Sequence, residues 1–173
     1  MDSKTTELLD AFDLGDLRFF LLIAKKNIIN ILNFIRKYNN IQTIYTSLGY
    51  FEGEKKSIFL ETLGWNLFLK KNTLFETTLK PKKNDLIFSK GFWSSASNVT
   101  FVKYLKKRKI SNVIISGNFL EYGIINTTFD LMNMGINTLI VSDAVTSLTY
   151  QANTFIKGSI THGLTKLRST GET

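Results

Sequence analysis

Apolar residues fall in two rhythms along this chain. Asn112 to Ser116 and Thr138 to Ser142 are short runs rich in Val, Ile and Leu, as strands buried in a parallel sheet are. Between them Ile124, Ile125, Thr128, Leu131 and Met132 recur at helical spacing, and Met134-Gly135 supplies a C-terminal stop. Strand, helix and strand within about 30 residues predict a βαβ unit with a right-handed crossover.

The alternation continues on both sides. Ile28, Ile31, Leu32 and Ile35 share one face of a helix predicted over Ile28 to Tyr38, which feeds a strand from Gln42 to Thr46. A further strand is expected over Asp85 to Ser89, and a helix over Val99 to Lys107 with Val99, Val102 and Leu105 inward. A weaker helix over Thr149 to Ile160 precedes an edge strand within Leu164 to Arg168. This order predicts an α/β domain, a three-layer αβα sandwich with a mostly parallel, Rossmann-like sheet. Such sheets carry their sites beyond the carboxyl ends of the strands, where Lys90, Gly117 to Gly123 and Asp143 would gather. The first residues allow two readings. Leu8 to Phe12 can be the central strand with Asp13 at its end, or Thr6 to Asp13 and Leu17 to Ala24 can be helical with Asp16 as a cap.

Composition narrows the picture. With 173 residues, 43% of them apolar, the chain fits one domain spanning 1–173. Its most apolar stretch, Phe19 to Ala24, is bounded by Arg18, Lys25 and Lys26, far short of the roughly 20 apolar residues that cross a bilayer. No secretory signal is read at the start, so a cytoplasmic or organelle-interior location is expected. The absence of cysteine excludes disulfides, thiolate metal sites and thiol nucleophiles. A net charge of +8 raises the possibility of nucleic acid or an anionic surface as partner. The lysines are scattered, however. Their densest runs, Lys103 to Lys109 and Lys80 to Lys83, lack interleaved recognition motifs and read as solvated surface.

The segment Ser111-Asn-Val-Ile-Ile-Ser-Gly-Asn-Phe-Leu-Glu-Tyr-Gly-Ile-Ile-Asn-Thr-Thr-Phe-Asp130, followed by the strand that ends in Asp143-Ala144, resembles the active-site region of the isochorismatase-like hydrolases. So do Ile41 to Thr46, Asp85-Leu-Ile-Phe-Ser-Lys-Gly-Phe-Trp-Ser-Ser95 and Leu167-Arg-Ser-Thr-Gly-Glu-Thr173. The resemblance covers roughly Ile28 to Glu172, leaving about the first 25 residues atypical or shortened. Most of that family places a nucleophilic cysteine where this chain has Gly123. The siderophore and phenazine isochorismatases resemble it in having glycine there, after Gly117-Asn-Phe-Leu-Glu-Tyr.

Several expectations follow from the resemblance. Lys90, 33 residues before Gly123 (123 − 90), corresponds to the family's catalytic lysine, and Asp13 is the match to its catalytic aspartate, although Gly15 stands where the family has glutamine. Vinyl-ether hydrolysis in that branch needs a carboxyl with a raised pKa to protonate the enol carbon, with a lysine to orient it or meet the substrate carboxylate. The substrate-side positions are held by Leu48, Lys56, Trp93 and Phe119. Leu48, Lys56 and Phe119 replace the branch's glutamine, arginine and tyrosine, each lost contact costing roughly 1–3 kcal/mol, which argues against isochorismate itself. No metal and no cofactor are expected: the turn Ser47 to Phe51 offers no Asp or His, and His162 is the single histidine. The resemblance implies a cysteine-free hydrolase of a small, anionic molecule, forming a homo-oligomer. The alternative is a catalytically inactive family member serving as a structural or assembly subunit.

Overall fold

The computed structural model describes residues 14–38, 40–70, 79–161 and 166–171. Helix α1, Leu14–Ile35, contains no Pro and no Gly beyond Gly15 in its first turn, and runs unbroken for 22 residues. Its buried stripe includes Ala24 and Leu32, two turns apart and so on one face. That face lies on the strands β3, Asn112–Asn118, and β4, Asn137–Thr146. Asn27 secures the packing by donating from its amide to the Asp143 carbonyl at 2.7 Å.

All described strand pairings are parallel. Strand β1, Ile44–Leu48, pairs with β2, Leu86–Lys90, in a register that sets Leu48 beside Lys90. Strand β3 pairs with β4, and β4 with the short strand β5, Lys166–Arg168. Helix α2, Ile58–Thr62, follows β1, and helix α3, Val99–Lys107, follows β2. Helix α4, Ile125–Asn133, connects β3 to β4, and α5, Tyr150–Thr161, follows β4. The β1–β2 pair and the β3–β4–β5 group share no ladder among the described residues. Side chains join them instead. Ile44 and Phe88 pack against the core built from Phe101, Leu105, Ile115, Leu120, Ile124, Leu131, Ile136, Ile140 and Val145.

A mostly buried ion pair ties the far end of this assembly. Arg36, one residue past α1, donates to the Asp85 carboxylate at 2.7 Å and to the Tyr45 hydroxyl at 3.1 Å. Its place is set by a helix end meeting the start of β2, so it fixes where α1 stops relative to the β1–β2 pair. Such a pair fixes geometry more surely than it adds stability, because both charges have left water.

The α/β class, the parallel strands and the element order agree with the sequence reading; boundaries and faces differ in places. Helix α1 starts at Leu14 rather than Ile28 and takes in Leu17 to Ala24, in agreement with the helical one of the two readings, because nothing between Phe19 and Asn27 interrupts a helix. Asp16 therefore stands within its first turn and is not a cap before Leu17. Strands β1 and β2 begin two residues and one residue later than predicted. Strand β4 extends four residues beyond Ser142, since its ladder with β3 shifts from an offset of 25 (137 − 112) to 28 (145 − 117) across an irregularity at Ile115/Gly117. Val99 is exposed as the first residue of α3, and Phe101 fills the core position instead. The alternative readings of Leu8 to Asp13 lie outside the described residues, as does His162.

Leu131 is fully buried at the centre of the core. Leu131→Ala is expected to destabilise the fold by about 3 kcal/mol, read as a lower urea midpoint with an unchanged slope.

Candidate functional site

The site begins at the carboxyl end of β2. Parallel strands end with carbonyls and side chains converging above the sheet, and Lys90 is the last residue of β2. The backbone behind it is fixed from two sides. Gly49 donates its N–H to the Lys90 carbonyl at 3.0 Å, and the Asn98 amide donates to the Ser89 carbonyl at 2.8 Å. Asn98 also caps α3, its side-chain oxygen accepting from the N–H groups of Thr100 and Phe101 at 2.8 and 3.0 Å. One residue thus couples the start of α3 to the end of β2.

From the other side comes the connection between β3 and α4. The Asn118–Phe119 peptide is cis, and Leu120–Ile124 then forms a single wide turn anchored by the buried side chains of Leu120 and Ile124. Gly123 sits buried in that turn. A Cβ built there would stand 2.9 Å from the Lys90 amine nitrogen and 3.4 Å from the Asn118 carbonyl. Glycine leaves the volume that the lysine amine fills.

Lys90 is only 9% exposed. Its amine donates to the Trp93 carbonyl at 2.9 Å, and among the described residues no carboxylate lies within ion-pair distance of it. Burial without a counter-charge disfavours the ammonium, and the Lys90 pKa falls to about 8. The amine borders a cavity of about 110 Å³ between β1 and β3. Its walls combine the β3 residues from Ile115 to Asn118 with Thr46, Ser95 and Thr127, whose hydroxyls come from three other elements. These form a chain: Ser95 donates to the Thr46 hydroxyl at 2.9 Å, the Ser95 N–H donates to Thr127 Oγ1 at 2.9 Å, and Thr127 approaches Ser95 Oγ at 3.4 Å.

An aromatic group gathers around Trp93, whose carbonyl holds the lysine amine. The Trp93 ring lies 5.2 Å from Phe59, 6.0 Å from Trp65 and 4.7 Å from Tyr122, with Phe92 a further 4.7 Å from Phe59. These separations are those of attractive edge-on and tilted ring pairs.

The sequence-predicted residues divide accordingly. Lys90 and Gly123 are brought together, and Trp93 contributes its carbonyl and its ring. Leu48 ends β1 beside Lys90, and Phe119 opens the glycine turn, but neither borders the cavity; nor does Lys56, half-buried ahead of α2. Asp13 is outside the described residues. Asp143 holds a loop: its carboxylate accepts from the N–H and hydroxyl of Thr170. Sequence reasoning missed the hydroxyl chain, although Ser95 and Thr127 fall inside the quoted motifs, and it missed Glu121. That side chain accepts from Leu148 N–H at 2.6 Å, fastening the glycine turn to the end of β4. No pattern in the sequence singles it out.

The family model of the isochorismatase domain matches residues 24–170. No curated protein matches the chain. Among solved structures, an isochorismatase-like hydrolase from Alkaliphilus metalliredigens superposes with a TM-score of 0.72 at 15% identity, over 87% of this chain and 79% of that one. The nicotinamidase/pyrazinamidase of Bacillus subtilis gives 0.69 at 14% identity, covering 85% of each chain. The N-carbamoylsarcosine amidase of Thermoplasma acidophilum gives 0.72 at 13% identity, over 89% of this chain and 86% of that one. At these identities the structural likeness concerns the fold.

The buried amine has a thermodynamic consequence. Between about pH 8 and the ordinary lysine pKa of 10.5 the unfolded chain binds the proton that folded Lys90 gives up, so this residue's contribution to stability rises with pH across that window and is a constant penalty below it. Replacing it with the uncharged Lys90→Met removes the penalty and sacrifices one hydrogen bond. The variant is expected to be more stable at pH 7 by about 2 kcal/mol. That advantage should shrink above pH 8 and be gone before pH 10.5, measured by urea unfolding across pH.

Proposed function

Because the chain belongs to the isochorismatase family, we propose that it is a hydrolase of that class which acts without a thiol nucleophile on a small, anionic molecule. The observation that carries this reading is the Lys90 amine standing against Gly123, where a side chain at the nucleophile position would otherwise project. A covalent intermediate on residue 123 is ruled out by the absence of any side chain there. On this reading water is the nucleophile, and an acid must generate an electrophile strong enough for water to capture.

Asp13 is the proposed acid. As a carboxylic acid it delivers its proton to the enol carbon of a vinyl ether, water adds to the oxocarbenium carbon, and the hemiketal collapses with release of the alcohol. Lys90 meets the substrate carboxylate. The physical support is the same desolvation that lowers its pKa: a buried ammonium without a carboxylate among the described residues gains most when a ligand brings one. The hydroxyls of Thr46, Ser95 and Thr127 border the same cavity and can hold the attacking water.

A second reading, a catalytically inactive member serving as a structural or assembly subunit, is favoured by the small cavity, about 110 Å³. Either form is proposed to be a homo-oligomer, and sedimentation at tens of micromolar is the check, on the order of the concentration where obligate interfaces persist. A species of monomer mass alone would count against it.

A screen of small carboxylated enol ethers and amides separates the two readings. If the hydrolase reading holds, wild-type turnover falls by at least about 100-fold in both Asp13→Asn and Lys90→Ala. Equal turnover in all three proteins removes the proposed site, and no turnover by the wild type leaves the assembly reading.

A further inference from the structure

Lysine chemistry at this site extends past charge. We infer that Lys90 is a carbonyl-capturing residue, whose amine forms an imine with a short-chain aldehyde bound in the cavity between β1 and β3. Three geometric observations converge on it. The amine is buried and makes one hydrogen bond, to the Trp93 carbonyl, so a lone pair is free once a proton is lost. Glycine at 123 removes the side chain that would stand 2.9 Å from the nitrogen and block approach to it. The cavity that the amine borders measures about 110 Å³, somewhat less than the roughly 150 Å³ that accommodates one benzene. It therefore suits a molecule of two to four heavy-atom groups and excludes larger ones.

The chemistry balances without a co-reactant. The neutral amine adds to the aldehyde carbon, forming the C–N bond, and the nitrogen proton passes to the former carbonyl oxygen to give a carbinolamine. A second proton, drawn from solvent water, lets that oxygen leave as water and yields the protonated imine. The hydroxyls of Thr46, Ser95 and Thr127, linked in a chain beside the amine, can relay the proton and bind the departing water. Desolvation supplies the neutral amine, as it does for other lysine nucleophiles in poorly solvated pockets, and agrees with the lowered pKa. Exposed lysines such as Lys103, Lys106 and Lys107 lack this environment and serve as internal controls.

The inference concerns covalent capture and does not depend on Asp13 or on turnover. The full-length protein is incubated at neutral pH with substoichiometric glycolaldehyde and cyanoborohydride, then digested and mapped by mass spectrometry. In the folded protein Lys90 is expected to carry at least about tenfold more reduced adduct than the mean of the exposed lysines, because its neutral fraction is far larger. The preference should disappear in urea. Labelling of Lys90 at or below the level of the exposed lysines in the folded protein overturns the proposal, as does a preference that survives unfolding.

Discussion

Everything at the mouth of this sheet depends on one close approach: the amine of Lys90 lying in the space that a side chain at position 123 would need. Two independent pieces of backbone must be held to a few tenths of an ångström for that contact to exist. One is the end of β2, pinned by Gly49 and by Asn98, which also caps the next helix. The other is the wide turn after β3, pinned by two buried aliphatic side chains and by Glu121 reaching the chain after β4. Neither piece carries the chemistry alone. Their convergence puts a charged group in a place with too little water to solvate it, and the lowered pKa is the direct result.

The same convergence explains why the core is arranged as it is. The β1–β2 pair and the β3–β4–β5 group are held by side-chain packing and not by a common ladder among the described residues. Phe88 of β2 reaches the same cluster as Phe101 and Leu105 of α3, so the helix capped by Asn98 is also the wedge between the two groups. The cavity lies where β1 and β3 face one another. Its polar lining is tolerable because Thr46, Ser95 and Thr127 satisfy one another, whereas isolated hydroxyls buried there would each cost free energy.

Much of this could be read from the residues, and what could not has identifiable causes. The βαβ unit around Gly117 was legible because its strands are short β-branched runs and its helix keeps a helical period. Helix α3 was legible to the residue from its apolar spacing, although Val99, read as inward, is exposed. The start of α1 was legible only as one of two readings, the one that made Leu17 to Ala24 helical, because a short apolar run fits a strand as well as a helix. The length of β4 escaped because a ladder irregularity leaves no sequence mark. For the site, Lys90 and Gly123 were recoverable from motif spacing. Lys56, Leu48 and Phe119 were selected by the same correspondence, yet none borders the cavity, because spacing fixes a residue's place along the chain and not the direction of its side chain.

Glycine at 123 and lysine at 90 are best understood as one feature. In a site built on a thiolate, a nearby ammonium is stabilised by the negative sulfur, and its burial is compensated. Gly123 has no side chain to offer such compensation, yet Lys90 is buried with its amine against that glycine. An unneeded lysine has an inexpensive escape, since its four-carbon stem can carry the charge to solvent while the stem stays packed. Retention of the amine inside, bonded to the carbonyl of Trp93, whose ring packs on Phe59 and Tyr122, costs stability. An amine buried with no carboxylate beside it among the described residues, and facing a polar cavity, is the feature on which the proposed chemistry rests.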